Sequence, residues 1–408
     1  MELIVTILIL LVLARAAGEI MEHLKQSAMI GEIIVGIIVG PSVLAYVHPT
    51  LQLQALADLS IFLLVFLAGL EMKMEDIRNA VRGGGIFVGW GGFFIPFVFG
   101  WVTAIAFKLS FIAAIFIGLC ISITALPVSI RILMDIGKLH SNFGKMLVAS
   151  AITHDITALV ILAIVLKLAN SSDISEGFVE SLFVLGRVLI FVILIILVDK
   201  LLTKRLRLKI HTPYRLRKIL SRLKGKESLF ALIILLVLLF AGIAEMLGLH
   251  FVVGTFFGSL LLSKEVIGKK EYEQVEKVAS GITFGFLAPI FFVYVGLNFS
   301  LESLTNWIFI LSILFISIIG KVLGGFIGGK LANMSNKEGL ALGLGMNGRG
   351  IMELVVASIG LRYNLIDIEI FSALVLMAIV TTILTPIMLR RVFAEKTKWD
   401  AFKLKDGV

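Results

Sequence analysis

His154 and Asp155 stand side by side in "SAITHDITALVILAIV", residues 150–165, near the middle of an apolar run long enough to cross a bilayer. A carboxylate at membrane depth costs roughly 2.5–3.5 kcal/mol to insert, and such residues mark ion or proton pathways. Ionised, Asp155 can hold a partly dehydrated sodium or potassium ion; protonated, it cannot, so a single side chain can trade a cation for a proton. Lys321, in "IIGKVLGGFIGGK", is a second charge inside an apolar segment, away from the helix ends where it would snorkel. It needs an anion or must be neutral. Asp155 is its natural partner, with Glu71 and Glu353 as rivals, and a structural ion pair joining two helices is the other reading. His154 also has two readings, a titrating group or a neutral imidazole that satisfies a backbone carbonyl, since adjacent helical residues point about 100° apart. Arg349 and Glu353 are four residues apart and can pair directly, which favours a scaffold role. Arg131 is assigned no chemistry.

These groups need helices to carry them, and two of the helices are interrupted. One contains "SITALPVSIR", where Pro127 removes a backbone donor among the polar residues Ser122, Thr124 and Ser129. The other contains "GLGMNGRGIME", where Gly343, Gly345, Gly348 and Gly350 weaken the helix around Asn347 and Arg349. A step of 227 residues relates "FLAGLEMKMEDI" (66–77) to "VYVGLNFSLESL" (293–304) and carries Thr124 to Ile351, inside the second interruption. Seven spans separate the paired segments, so the copies enter the membrane in opposite directions, as in the inverted repeats of many transporters. Interrupted helices at matching places in two halves point to a binding site near the midplane, with packing kinks as the alternative.

Stepping through the chain at bilayer length gives thirteen spans, near 2–17, 28–47, 54–71, 82–107, 111–135, 143–168, 179–203, 227–248, 250–263, 279–297, 303–328, 337–361 and 368–389. Hydrophobic residues make up 59% of the chain and charged residues 16%, which excludes an ordinary soluble domain. The reading is an all-α integral membrane protein forming one domain over 1–408. A first repeat covers about 1–168, a linker helix and basic cytoplasmic loop about 179–226, and a second repeat about 227–392. The first span is expected to be retained, because no basic residue precedes its apolar run.

The net charge of +9 does not indicate nucleic acid, because eleven Lys or Arg and no acid fall within residues 200–226. That pattern, acidic Asp173, Glu176 and Glu180 in another loop, and the basic tail from Arg390 to Lys405 place the N-terminus outside and the C-terminus in the cytoplasm. Cys120 is the one cysteine, so no disulfide or cysteine metal site forms within a chain. Gly320, Gly324 and Gly328, like Gly36 and Gly40, are spaced for close helix contact. "GGG" at 83–85 lacks the context of a nucleotide loop. Neither a paired metal-ligand spacing nor a nucleophile motif points to an enzyme.

Six segments in order, "GEIIVGIIVGPSVL" (31–44), "FLAGLEM" (66–72), "SITALPVSIRIL" (122–133), "GKMLVASAITHDI" (144–156), "GK" (320–321) and "GMNGRGIMELVVA" (345–357), resemble the monovalent cation/proton antiporters. The nearer branch holds bacterial sodium/proton exchangers and potassium efflux systems. The resemblance implies a plasma-membrane homodimer, each protomer having a dimerisation domain and a core whose two broken helices cross near the ion site and move like an elevator. By position it makes Asp155 the ion-binding carboxylate, Thr124 the polar residue of the first broken helix and Lys321 the lysine facing the site. His154 replaces the first of two adjacent aspartates carried by electrogenic sodium exchangers. One carboxylate then implies one proton exchanged for one sodium, unless His154 or Lys321 also releases a proton. The 408 residues hold no C-terminal nucleotide-sensing domain of the kind found in many potassium efflux systems, which favours sodium or lithium over potassium if the chain is whole. No cofactor is expected beyond the transported ions and protons, and the rival on this scaffold is a cation channel or sensor.

Overall fold

The computed structural model describes residues 2–72, 85–125, 129–130, 133–134, 138, 141–169, 174–207, 226–262 and 264–405. Pro127, Arg131, Asp173, Gly83, Gly84 and residues 208–225 of the basic loop lie outside them. Among the described residues the chain is helical, without strands. The helices are α1 (Leu3–His23), α2 (Ala28–Val39), α3 (Leu51–Glu71), α4 (Gly85–Ala106), α5 (Phe111–Ser122), α6 (Asn142–Ala169) and α7 (Ile174–Arg207). There follow α8 (Lys226–Met246), α9 (Phe251–Leu260), α10 (Lys269–Leu297), α11 (Trp307–Leu331), α12 (Asn336–Gly345), α13 (Ile351–Arg362) and α14 (Ile368–Lys405).

Eight of these are long and apolar enough to span a bilayer unaided. The short apolar helices α2, α5 and α9, the pair α12 and α13, and α7 fall on the five remaining expected spans. Boundaries move for local reasons. Gly40 and Pro41 stop α2 at Val39, short of the expected 47, because proline cannot continue the ladder. Helix α10 starts at Lys269 and not near 279, since Tyr272, Val275 and Ala279 recur on one buried face of its charged first half. A π-helical turn at Thr283–Leu287 lies within it. Side-chain caps fix several starts: Thr50 accepts from Leu53 N–H, Ser110 from Ala113 N–H, and Ser335 forms a capping box with Glu338.

The chain forms two compact units. The first comprises Met1–Ile20, Gly31–Asp76 and Leu159–Asn298. Its interior includes Phe66, Leu67, Ile233, Val237 and Val275, with a second cluster around Leu10, Val35 and Val293. Here the two echoed segments acquire a physical meaning. Gly69 of "FLAGLEM" lies against Ser259 and the Phe256 carbonyl of α9, and Gly296 of "VYVGLNF" lies against Gly36 and the Ile33 carbonyl of α2. Each echo supplies the glycine at an equivalent close crossing, where a Cβ would collide with backbone or side chain. Ser60 bonds the Leu287 carbonyl and Tyr272 bonds that of Leu70, so α3 and α10 run antiparallel.

The second unit comprises Met21–Ile30, Ile77–Ala158 and Phe299–Val408. Here α4 and α11 pack through the predicted glycine row: a Cβ on Gly320 would meet Pro96, one on Gly324 the Gly91 carbonyl, and one on Gly328 that of Phe87. As α11 ascends, α4 descends. The helix starts Leu3, Ala28, Gly85, Phe111 and Asn142 recur 222–226 residues later at Lys226, Phe251, Trp307, Asn336 and Ile368. Both antiparallel pairs, α3 with α10 and α4 with α11, join equivalent helices, which is the structural form of an inverted repeat.

Candidate functional site

The interruptions of α5 and of α12–α13 meet within the second unit. After Ser122 the backbone leaves the helix, with Ile123 extended, and after Gly345 it turns through Met346 and Asn347 before α13 resumes at Ile351. Unwinding frees N–H and C=O groups that lipid cannot satisfy, and partners for them are built in. Ala125 N–H donates to the Gly348 carbonyl at 2.9 Å, and Thr124 Oγ1 lies within hydrogen-bond reach of that of Met346, at 3.0 Å. Thr382 on α14 serves Arg349 twice, accepting from its N–H at 3.2 Å and donating to its carbonyl at 3.1 Å.

The C-terminal end of α5 presents orphan carbonyls and the negative end of a helix dipole, and two cations meet it. Arg349 Nη1 donates to the Cys120 carbonyl at 3.1 Å and to that of Ile123 at 2.6 Å. Lys321 Nζ donates to the Ser122 carbonyl, to that of Gly92 at 3.1 Å and to Thr124 Oγ1 at 2.8 Å. These bonds run to carbonyls and a hydroxyl, where a carboxylate was the expected partner. Both side chains have zero exposure.

His154 and Asp155 are buried on α6. Nε2 of His154 is 2.9 Å from the Gly89 carbonyl, which only accepts, so Nε2 carries hydrogen. Nδ1 then faces Thr124 Oγ1 at 2.9 Å and Lys321 Nζ at 3.4 Å. Thr124 therefore collects His154, Lys321 and the second broken helix around one oxygen. With Nδ1 as an acceptor, the hydroxyl's single hydrogen serves Nδ1 or Met346. Lys321 occupies one lone pair and the other can meet a cation. Arg349 Nε lies 3.5 Å from Glu353 Oε2, a contact between charges and not an aligned hydrogen bond.

Of the residues singled out from sequence, His154, Thr124 and Lys321 form one bonded cluster, with Asp155 next to it in the chain, and Arg349 and Glu353 stand at the second interruption. Glu71 lies at the end of α3 in the first unit. Sequence reading missed Thr382 and the carbonyls of Gly89, Gly92 and Ser122. The signal for the first was "TT" at 381–382, adjacent polar residues within a mainly apolar span; backbone acceptors leave none.

Comparison with known proteins extends over nearly the whole chain. Residues 7–395 match the family model described as sodium/hydrogen exchanger, transmembrane. The chain is 29% identical over 398 residues to the Na(+)/H(+)-K(+) antiporter GerN of Bacillus cereus, covering 97% of this chain and 98% of that protein. It is 30% identical over 414 residues to the Na(+)/H(+) antiporter NhaS4 of Synechocystis, covering 96% and 97%. Among solved structures, it resembles the sodium proton antiporter MjNhaP1 from Methanocaldococcus jannaschii with a TM-score of 0.73, over 96% of each chain at 17% identity. At that identity the likeness speaks for the fold.

Proposed function

Because the chain belongs to the sodium/hydrogen exchanger family, we propose that it exchanges sodium or lithium for protons, with Asp155 binding the two in turn. The carrying observation is position: Asp155 is buried and follows His154, whose ring contacts Thr124 where two interrupted helices meet. Ionised Asp155 holds the cation with oxygen from Thr124 and from unwound backbone nearby. Protonation removes the charge and releases the cation on the other side of the membrane.

In this reading the crossing moves as an elevator within a homodimer in the plasma membrane, with the N-terminus outside and the C-terminus in the cytoplasm. Repeats over about 1–168 and 227–392, joined by the helix and loop at 179–226, supply the two access directions. Lys321 and His154 support the site, and Arg349 with Glu353 braces it. Potassium is the second reading, supported by the name of the Bacillus relative, which includes that ion.

The test is proton movement in proteoliposomes carrying an imposed pH gradient, on adding sodium, lithium or potassium. A response to sodium or lithium that Asp155→Asn removes is expected. A response to potassium would move the assignment, and an Asn variant exchanging at the wild-type rate would sink the role of Asp155.

A further inference from the structure

Asn347 sits in the turn between α12 and α13 with zero exposure. Both its chain neighbours are tied to the first broken helix, Met346 through Thr124 Oγ1 and Gly348 through Ala125 N–H. The turn that carries Asn347 is thereby held at the crossing. Nδ2 donates to the Gly343 carbonyl at 2.9 Å. A carbonyl cannot donate, so this contact settles which end of the amide is nitrogen and leaves Oδ1 as the other. Oδ1 is buried and accepts no hydrogen bond among the described residues.

A buried amide oxygen without a donor is costly, by about 1–3 kcal/mol. A partly dehydrated alkali cation needs what such an oxygen offers, since hard cations replace lost hydration with protein oxygens. A neutral ligand has a further advantage here. It adds coordination without adding charge, so one proton on Asp155 still balances one cation.

We propose that Asn347 Oδ1 is a side-chain ligand of the transported cation, completing with Asp155 and Thr124 a site drawn from α6 and both broken helices. This rests on the reading that the cation binds beside Asp155 and Thr124. It adds a residue that sequence reading placed only in the interruption.

The experiment measures the sodium concentration for half-maximal exchange in proteoliposomes, and the sodium-dependent rise in melting temperature of the purified protein, which needs no transport. Asn347→Ala and Asn347→Leu, the latter close in volume, are expected to raise half-saturation about tenfold, by far more than they change the maximal rate, and to reduce the thermal shift to match. Asn347→Asp keeps an oxygen at the same reach and should hold half-saturation at or below the wild-type value. Unchanged half-saturation in Ala and Leu would mean that Oδ1 meets only water, and would overturn the proposal. So would a lower maximal rate at constant half-saturation in all three, which describes a brace. If the apolar variants fail to fold, Asn347→Ser carries the test against Asn347→Asp: the shortened oxygen must raise half-saturation, and equal values overturn the idea. Failure of the underlying reading looks different, because sodium would then still stabilise the Asp155→Asn protein.

Discussion

Arg349 has zero exposure, and its guanidinium faces two kinds of negative charge at once. Nη1 bonds two carbonyls at the end of α5, while Nε faces Glu353 across 3.5 Å. Removing one member of a buried pair leaves the other charge uncompensated, at about 3–5 kcal/mol, whereas removing both can be far milder. Arg349→Met should therefore lower the melting temperature of the purified protein sharply, and Arg349→Met with Glu353→Leu should recover part of the loss. The recovery cannot be complete, because the Ile123 carbonyl still lacks the donor that Arg349 supplies. A double variant as unstable as the sum of the singles would show that the two side chains do not act as a pair. Lys321 follows the same logic with different partners. Its charge was visible in the sequence, but the carbonyls of Ser122 and Gly92 that receive it were not, because every residue has a carbonyl and only the fold decides which are left open.

At the scale of helices, the glycines separate packing from backbone freedom. A Cβ on Gly324 would meet the Gly91 carbonyl and the Gly92 Cα, so Gly324→Ala must push α11 away from α4, at about 1–3 kcal/mol. Gly281 on α10 has no heavy atom of the described residues within 4 Å of the same position, so Gly281→Ala should be neutral or stabilising by about 0.5–1 kcal/mol through helix propensity. Thermal unfolding of the two variants side by side checks this, and equal losses would mean that the close approach of α4 and α11 is not what Gly324 provides. The Gly320, Gly324 and Gly328 row was legible as a contact stripe because spacing of four keeps one face of a helix small. Its partner was not legible, since α4 presents Phe87, Gly91 and Pro96 with no shared residue type. The two interruptions were legible from Gly and Pro, and the first half of α10 was underread because its charges mask the recurrence of Tyr272, Val275 and Ala279.

For the whole molecule, charge limits what can cross the membrane. Among its described residues the second unit buries two acidic side chains, Asp155 and Glu353, and two basic ones, Lys321 and Arg349. A cation on ionised Asp155 adds one positive charge to that set, and a proton on Asp155 adds the same. Both loaded forms then carry equal charge through the bilayer, so neither is held back relative to the other by the cost of exposing charge to lipid. Exchange should have a bell-shaped pH dependence: in acid the proton displaces the cation, and in alkali too few protons remain to expel it. If one cation competes with one proton for Asp155, as proposed, a tenfold rise in sodium should move the acid limb to lower pH by about one unit. Proton flux measured across a grid of pH and sodium concentration reads this slope directly. If two protons compete with each cation, the shift falls to about half a unit per tenfold change, and His154 or Lys321 must then supply the second proton. An acid limb that ignores sodium altogether would place cation and proton on separate groups and remove Asp155 as their shared site.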